Sequence, residues 1–386
     1  MTDKASSKWS PIRPEQRETE KIAAKGTTYM QNVIYLFSRR KSSVISLIAV
    51  VLIALTAIIG PFLTGKSYDF QNLSHVNTPP LLSVTEIDGS YYYITSNQKL
   101  AQVSEDGILM DSLPRIRDDS INKRFVYEID GATYYLSYRQ NPPVLEDSEG
   151  NILETSKTVW NKLYPLGADA LGRDIFTRLL YGTRISLIVA FIATLVNLVI
   201  GVFYGSVAGY AGGNVDMVMM RIVDIISSIP MNLYVILLMV LFNNGGLISI
   251  IIALGIVYWV DMARVVRSQI LSVKEEDFVL AARTMGSSSG FILRKHLIVN
   301  CIGPITVTAT MQIPSAIFTE AFMSFIGLGV TAPMASLGTM CNDALETLYT
   351  APYQLFFPAA TICLIMFAFN FIGDGLRDAF DPRMRR

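Results

Sequence analysis

The chain has 386 residues, 51% hydrophobic and only 17% charged, with 32 basic side chains balancing 32 acidic ones. That balance speaks against a nucleic-acid partner and against an acidic binding tail, and so apolar a chain is far from an ordinary soluble enzyme. An integral membrane protein is the class that remains, with the lipid bilayer as its first partner.

Residues 1–43 read as a cytosolic N-terminal tail and membrane-entry segment. Within them residues 1–24 are polar, carry Glu15, Glu18 and Glu20, and lack the short apolar core of a secretory signal. Arg39, Arg40 and Lys41 then precede an uncharged run at 44–63, long enough for a first crossing helix. Further uncharged runs at 185–208, 225–242, 245–260, 301–319 and 355–373 give six in all. Pro304 and Pro314 interrupt the fifth, which membrane helices tolerate when neighbours satisfy the freed backbone. Arg264, Arg267, Lys274, Arg283, Arg294 and Lys295 follow the fourth run, and Arg377, Arg383, Arg385 and Arg386 follow the sixth. Asn243, Asn244 and residues 327–353 contain no Lys or Arg. The positive-inside rule therefore expects both termini in the cytosol.

Residues 64–163 would then form an extracytoplasmic insertion. Their composition turns acidic, Tyr-rich and turn-rich, and a repeat is visible: Glu86-Ile87-Asp88-Gly89 with Tyr92-Tyr93-Ile94 recurs as Glu128-Ile129-Asp130-Gly131 with Tyr134-Tyr135-Leu136. Asp106-Gly107 and Glu149-Gly150 repeat a second turn. Acidic-Gly pairs between aromatic and β-branched runs are hairpin signals, so two short β-hairpins in one small domain are expected, with a solvated linker as the alternative.

Gly60-Pro61-Phe62-Leu63-Thr64-Gly65-Lys66-Ser67 satisfies the phosphate-loop pattern letter by letter. It is rejected. A phosphate loop needs a preceding strand and backbone N–H groups aimed at phosphate, whereas this stretch ends an apolar run and Pro61 has no N–H. Gly60 and Pro61 are expected instead to loosen the outer end of the first span. Cys301, Cys341 and Cys363 show neither metal nor disulfide spacing. His75 and His296 fall on opposite sides of the membrane and cannot share a metal. Asp224 and Glu320 lie in or beside spans, where carboxylates are often functional, although interfacial pairing with Arg221 or with backbone groups is the blander reading. No nucleophile-base constellation suggests catalysis, and no catalytic, cofactor or metal residue is assigned.

Residues 274–300 are the longest polar interruption between the later runs. Glu275, Glu276 and Asp277 suit a helix N-terminus; Phe278, Ala281, Ala282 and Met285 form an apolar stripe; and Gly286 can end the helix in a left-handed conformation. A second short helix would begin in the Ser287-Ser288-Ser289 cluster. Ala281 and Ala282 make a slim surface for close approach, and the residues alone leave a docking element and an ordinary loop equally open.

Ala281-Ala282 followed by Gly286, then Arg294-Lys295-His296-Leu297-Ile298-Val299-Asn300, resembles the coupling-loop motif of ABC-importer permeases. Four further blocks resemble the C-type permease of the oligopeptide/dipeptide/nickel importers in that family's order. They are Pro165-Leu166-Gly167 through Leu187; Gly209-Tyr210-Ala211-Gly212-Gly213 with Asp216, Arg221, Asp224 and Pro230; Glu320-Ala321 with Ser324 to Val330; and Gly373-Asp374-Gly375-Leu376-Arg377-Asp378 with Asp381-Pro382-Arg383. Leu280 stands where the motif has Glu and Val299 where it usually has Pro, while Asp277 keeps an acidic residue nearby. The insertion is also larger than this family's usual outer loop.

The resemblance implies an all-α polytopic permease, the core permease domain being 164–386; with the apolar runs and the repeat this gives six transmembrane helices and an extracytoplasmic β-rich insertion between the first and second. It implies ATPase coupling through Asp277, Ala281, Ala282, Gly286, Arg294 and His296. The implied partners are a homologous second permease, two cytosolic ATPase subunits that bind ATP and Mg, and an extracytoplasmic solute-binding protein. A membrane receptor with an external ligand-binding domain is the alternative, and it would need an output domain that the short cytosolic segments do not offer.

Overall fold

The computed structural model describes residues 28–241 and 247–381. Glu15, Glu18, Glu20, the 242–245 junction of the third and fourth apolar runs, Arg383, Arg385 and Arg386 lie outside the described residues. Among the described residues four helices are long and apolar enough to cross a membrane, and two sharply bent helix pairs bring the number to as many as six.

The N-terminal part departs from the expected tail by forming helix α1 (Tyr29–Arg39). Thr28 and Gln31 make a reciprocal capping box at its start, and Val33, Leu36 and Phe37 pack on the end of the last helix, α13 (Tyr353–Phe380). Helix α2 (Lys41–Leu63) follows after Arg40, whose guanidinium donates to Asp374 O and to Asp378 on α13. Its buried residues are the small ones, Ser43, Ser46, Ala57 and Pro61, while Ile48, Leu52, Ile58 and Phe62 point outward. That inversion of the soluble pattern is what lipid solvent favours, because close backbone approach replaces hydrophobic burial as the force between helices. The helix runs through Pro61 rather than loosening there, and Gly60 is the point where the Leu180 side chain lies against the backbone.

Ten strands occupy 81–160: β1 (Leu81–Ile87), β2 (Ser90–Ile94), β3 (Leu100–Val103), β4 (Leu109–Ser112), β5 (Arg117–Asp119), β6 (Arg124–Ile129), β7 (Ala132–Ser137), β8 (Val144–Glu146), β9 (Ile152–Leu153) and β10 (Lys157–Trp160). They form two antiparallel five-stranded sheets, ordered β10-β1-β2-β3-β4 and β5-β6-β7-β8-β9. Two hairpins were expected from the repeat; each hairpin is instead the start of a four-strand meander, widened by a flanking fifth strand that no repeated motif announces. The two turns behave as their sequences require. Asp88-Gly89 and Asp130-Gly131 both adopt positive φ, closing the tight pairs Ile87↔Ser90 and Ile129↔Ala132. Ile87, Tyr92 and Leu100 of the first sheet share a core with Tyr127, Ile129, Leu136 and Leu145 of the second.

The helical body is built around α3 (Ile175–Ala211), capped at its start by Asp174. Gly201, Gly205 and Gly209 bring it against Met262, Val266 and Ile270 of α7 (Trp259–Val273), which runs parallel to it. Added methyl groups at these glycines would collide with α7, the same small-residue logic as in α2. Helix α4 (Gly213–Ser227) returns along α3, held by the Tyr204 hydroxyl donating to Met219 O at 2.8 Å. The apolar run at 225–242 is not one helix: α4 ends at Ser227, α5 (Met231–Leu241) begins after Pro230, and the two are bent by 82°. Proline supplies no N–H to continue the ladder and disfavours helical backbone before it. Helix α6 (Leu247–Val257) continues into α7, so this span reaches Val273, well past the apolar run. Helix α11 (Ile302–Phe325) keeps Pro314 inside it, α12 (Leu337–Asp343) is short, and α13 closes the bundle.

The insertion is seated on this body through its root. Asn77 N donates to Asp169 O at 2.9 Å and Ala168 N to Thr78 O at 2.8 Å, while Gln354 Nε2 bonds Asn77 Oδ1 at 2.8 Å. Beneath lies a buried ion cluster. Asp169 accepts from Arg173 Nε at 2.7 Å and Arg178 Nη1 at 2.5 Å, and both arginines also reach Asp343 of α12 at 3.1 Å.

Candidate coupling site

After Val273 the chain leaves the bundle. Lys274 Nζ donates to Gly209 O at 3.2 Å, which fixes the departure point against the end of α3. Helix α8 (Asp277–Thr284) follows, with extended Glu276 at its N-cap and Asp277 in its first turn. Its end is set by Gly286 at φ +81°: Gly286 N donates to Arg283 O at 2.9 Å and Ser287 N to Ala282 O at 3.0 Å. This double bond pattern consumes carbonyls that the helix would otherwise leave unpaired, and it needs a left-handed residue where Gly costs least. The second helix, α9 (Ser289–Ile292), starts in the serine cluster with Ser288 as N-cap. It passes through a π-helical turn, Leu293–Leu297, and α10 (Ile298–Asn300) into α11, bent by 66°. Residues 289–300 are thus helical in several registers, consistent with π-turns recurring at functional positions.

The expected stripe splits in two. Val279 and Ala282 turn inward, joining a buried cluster with Met262, Val266, Ile270, Ile292 and Leu297. Ala282 therefore packs against the chain's own bundle and offers no surface to a partner, a correction to the expected pair. Ala281 faces outward with Phe278 (42% exposed), Leu280 (43%), Met285 (78%) and, from α9, Phe291 (44%). Helical periodicity explains both halves: residues 279 and 282 are three apart on one face, and 278, 281 and 285 follow the other at spacings of three and four. Leu280, where the motif has Glu, extends the outward apolar surface.

His296 lies half-buried beside the rings of Phe291 at 5.6 Å and Phe278 at 6.4 Å, so it bridges the two short helices as a structural contact. Arg294 and Lys295 are exposed on the π-turn, and among the described residues no ion pair joins Arg294 to Asp277. The Arg283 guanidinium sits over the Tyr210 ring at 5.4 Å, tying α8 to the end of α3. The structure thus gathers Asp277, Ala281, Gly286, Arg294 and His296 around one exposed apolar patch with acidic and basic margins.

Other positions come out differently from their sequence reading. Asp224 pairs with Arg264 at 3.2 Å rather than with Arg221. Glu320 is fully buried, not interfacial, and accepts from Ser186 at 2.7 Å and Ser324 at 2.9 Å. Lys66 donates to Leu163 O and lies over the Tyr164 ring at 4.7 Å, so the phosphate-loop lookalike helps seat the insertion. The Asp216–Arg267 pair, with contacts of 2.5 and 2.6 Å between α4 and α7, had no local signal, since its partners are far apart in sequence.

Residues 198–386 match the family described as binding-protein-dependent transport system inner membrane component, and residues 28–80 match the N-terminal TM domain of oligopeptide transport permease C. The chain is 49% identical over 239 residues to the oligopeptide transport system permease protein OppC of Bacillus subtilis, spanning 62% of this chain and 78% of that protein. It is 52% identical over 221 residues to the dipeptide transport system permease protein DppC of the same organism, spanning 57% and 69%. Among solved structures, a chain of the inward-facing MetNI methionine ABC transporter aligns at 20% identity with a TM-score of 0.46, over 54% of this chain and 98% of that one, a likeness too loose to decide anything.

Proposed function

Because the chain belongs to the oligopeptide and dipeptide ABC-transporter permeases, an inner-membrane multi-pass transport component rather than an enzyme, we propose that it forms half of a peptide importer. Its relatives' names supply the solute class, and the homologous second permease, two ATPase subunits with their ATP and Mg, and an extracytoplasmic solute-binding protein complete the complex. Both termini lie in the cytosol, six spans result when each bent pair counts as one, and the β insertion stands outside. The Lys/Arg asymmetry of the loops supports that orientation.

The observation that carries the coupling assignment is the outward apolar face of α8. Phe278, Ala281, Leu280 and Met285 remain uncovered on a helix that is fixed at both ends, by Lys274 and Arg283 against α3 and by the Gly286 cap. An apolar patch on a polar segment marks a protein contact. Closing of the ATPases on ATP would push α8, and the Val279–Ala282 side would pass the displacement to α7 and α11, switching the access of the pathway. No bond is made in this chain.

The test is ATP-driven uptake of a labelled dipeptide and an oligopeptide into vesicles holding the complete complex and its solute-binding protein. Uptake that requires ATP and competes with unlabelled peptide is expected. A complex that hydrolyses ATP and moves neither peptide would overturn the reading.

A further inference from the structure

Four charged side chains lie on one outward face, level with the last turns of the uncharged run 185–208 of α3. Tyr204 of α3 bonds α4 at Met219, and its ring meets Trp259 of α7 at 4.7 Å, while Gly201 lies against Met262. These contacts put Arg221, Asp224, Asp261 and Arg264 level with the stretch around 201–204. That stretch lies inside the uncharged run 185–208, about 6 to 10 Å above its cytosolic end at 1.5 Å per residue. All four are exposed, Asp224 and Arg264 by 55% and 44% of their side chains. Asp224 and Arg264 pair with each other, whereas Asp261 and Arg221 make no side-chain hydrogen bond or ion pair among the described residues.

Charges exposed to hydrocarbon are costly, so such a face must meet water or a partner's polar groups. The opposite side of α3 behaves as lipid-facing surface should. There Phe191, Leu195, Val199, Phe203, Ile302 and Ile313 line an uncharged groove at comparable depth. The charged face also holds a cavity of about 240 Å³ under the α4–α5 bend, walled by Ile226, Ser227, Pro230 and Val257 together with Asp261 and Arg264. The carbonyl end of α4 falls in that wall, adding the negative pole of a helix to the Asp261 carboxylate.

We propose that this face lines the solute pathway and that Asp261, with the carbonyl end of α4, holds the cationic amino terminus of a passing peptide. The apolar remainder of the cavity suits a first side chain, and Arg264 stays neutralised by Asp224. The substrate part of this inference rests on the peptide-import reading, whereas the wet-face part does not.

Two arms test it on the complete complex in vesicles, with Cys301, Cys341 and Cys363 replaced by Ala. In the first, Asp261→Cys and Val199→Cys are exposed to a membrane-impermeant, ammonium-bearing methanethiosulfonate. Labelling at 261 and none at 199 is expected, and equal labelling or none at 261 overturns the pathway assignment. In the second, Asp261→Asn is expected to raise KM for a free dipeptide about tenfold, equivalent to about 1.4 kcal/mol, with kcat nearly unchanged and uptake of an N-acetylated dipeptide unaffected. Equal loss for both peptides overturns the amino-terminus assignment. A wild-type complex that moves no peptide sinks the import reading and that assignment with it, while the labelling contrast stands or falls by itself.

Discussion

Two polar stretches interrupt the apolar helices, and they solve the same problem in opposite ways. The insertion turns its aromatic and aliphatic residues inward: Tyr127, Leu136, Leu145, Leu82 and Leu100 are buried between or behind its sheets. Its root is bonded to 164–174 and to α13, directly over the Asp169–Arg173–Arg178–Asp343 cluster. The candidate coupling segment buries only a narrow stripe, and it leaves Phe278, Leu280, Met285 and Phe291 uncovered. A segment that satisfies itself is a structural fixture, and one that leaves apolar surface on a rigid helix awaits a partner. The contrast also separates the two ends of the helical body, bonded to the insertion at one and carrying uncovered apolar side chains at the other.

The largest effect is expected at the ion cluster beneath the insertion. Arg178→Met leaves Asp169 buried with half its cation partners gone, a loss on the order of 3 to 5 kcal/mol, so the variant is expected to accumulate poorly in the membrane. Quantitative immunoblotting of membranes checks this, and wild-type abundance would show that the cluster is dispensable.

At the coupling segment the two neighbouring alanines should part company. Ala282→Trp overfills the cluster around Met262 and Ile292, at about 1 to 3 kcal/mol, and should lower the melting temperature of the purified complex. Ala281→Trp should leave melting unchanged and strip the ATPase from the complex during purification. Identical behaviour of the two variants would erase the distinction between inner and outer faces of α8.

Within the insertion, Gly131→Ala meets open space but keeps a φ of +81°, so its cost is conformational alone, about 1 kcal/mol. Hydrogen exchange of the β6–β7 amides in the full chain should accelerate roughly fivefold with peptide uptake unchanged. Lost uptake would mean that the insertion takes part in transport directly.

The smallest effect is expected at the root. His75 is buried, with Nδ1 within 3.2 Å of the Asn72 amide and the Tyr164 hydroxyl, and burial holds its pKa below the ordinary 6.5. The unfolded root takes up a proton near pH 6.5 while the folded one stays neutral, so stability should fall as pH drops below that value and be flat above it. Protease sensitivity of residues 66–78 between pH 7.5 and 5.5 reports this, and a profile that His75→Gln leaves unaltered would contradict it.

Much of this architecture could be read from residues. Long uncharged runs announce helices because nothing else satisfies the backbone in lipid, and the Asp-Gly repeat announces its turns because few residue pairs tolerate two successive positive φ values. The Gly286 cap is equally local. What stayed hidden depends on contacts across the chain. Strands β5 and β10 are recruited by their neighbours, α1 by the end of α13, and Asp343 meets Arg178 across 165 positions. The inward turn of Ala282 belongs to the same class, since a stripe of small residues does not say which protein it will touch.

The seat proposed for an ATPase subunit is the outward face of α8. A photo-reactive phenylalanine in place of Met285, with one in place of fully exposed Ile121 as the insertion's counterpart, tests it in the assembled complex. Irradiation is expected to join position 285 to the ATPase subunit, in a yield that changes between nucleotide-free and ATP-bound states, and to give no ATPase adduct from 121. A complex that transports peptide normally and yields no ATPase adduct from 285 would contradict it.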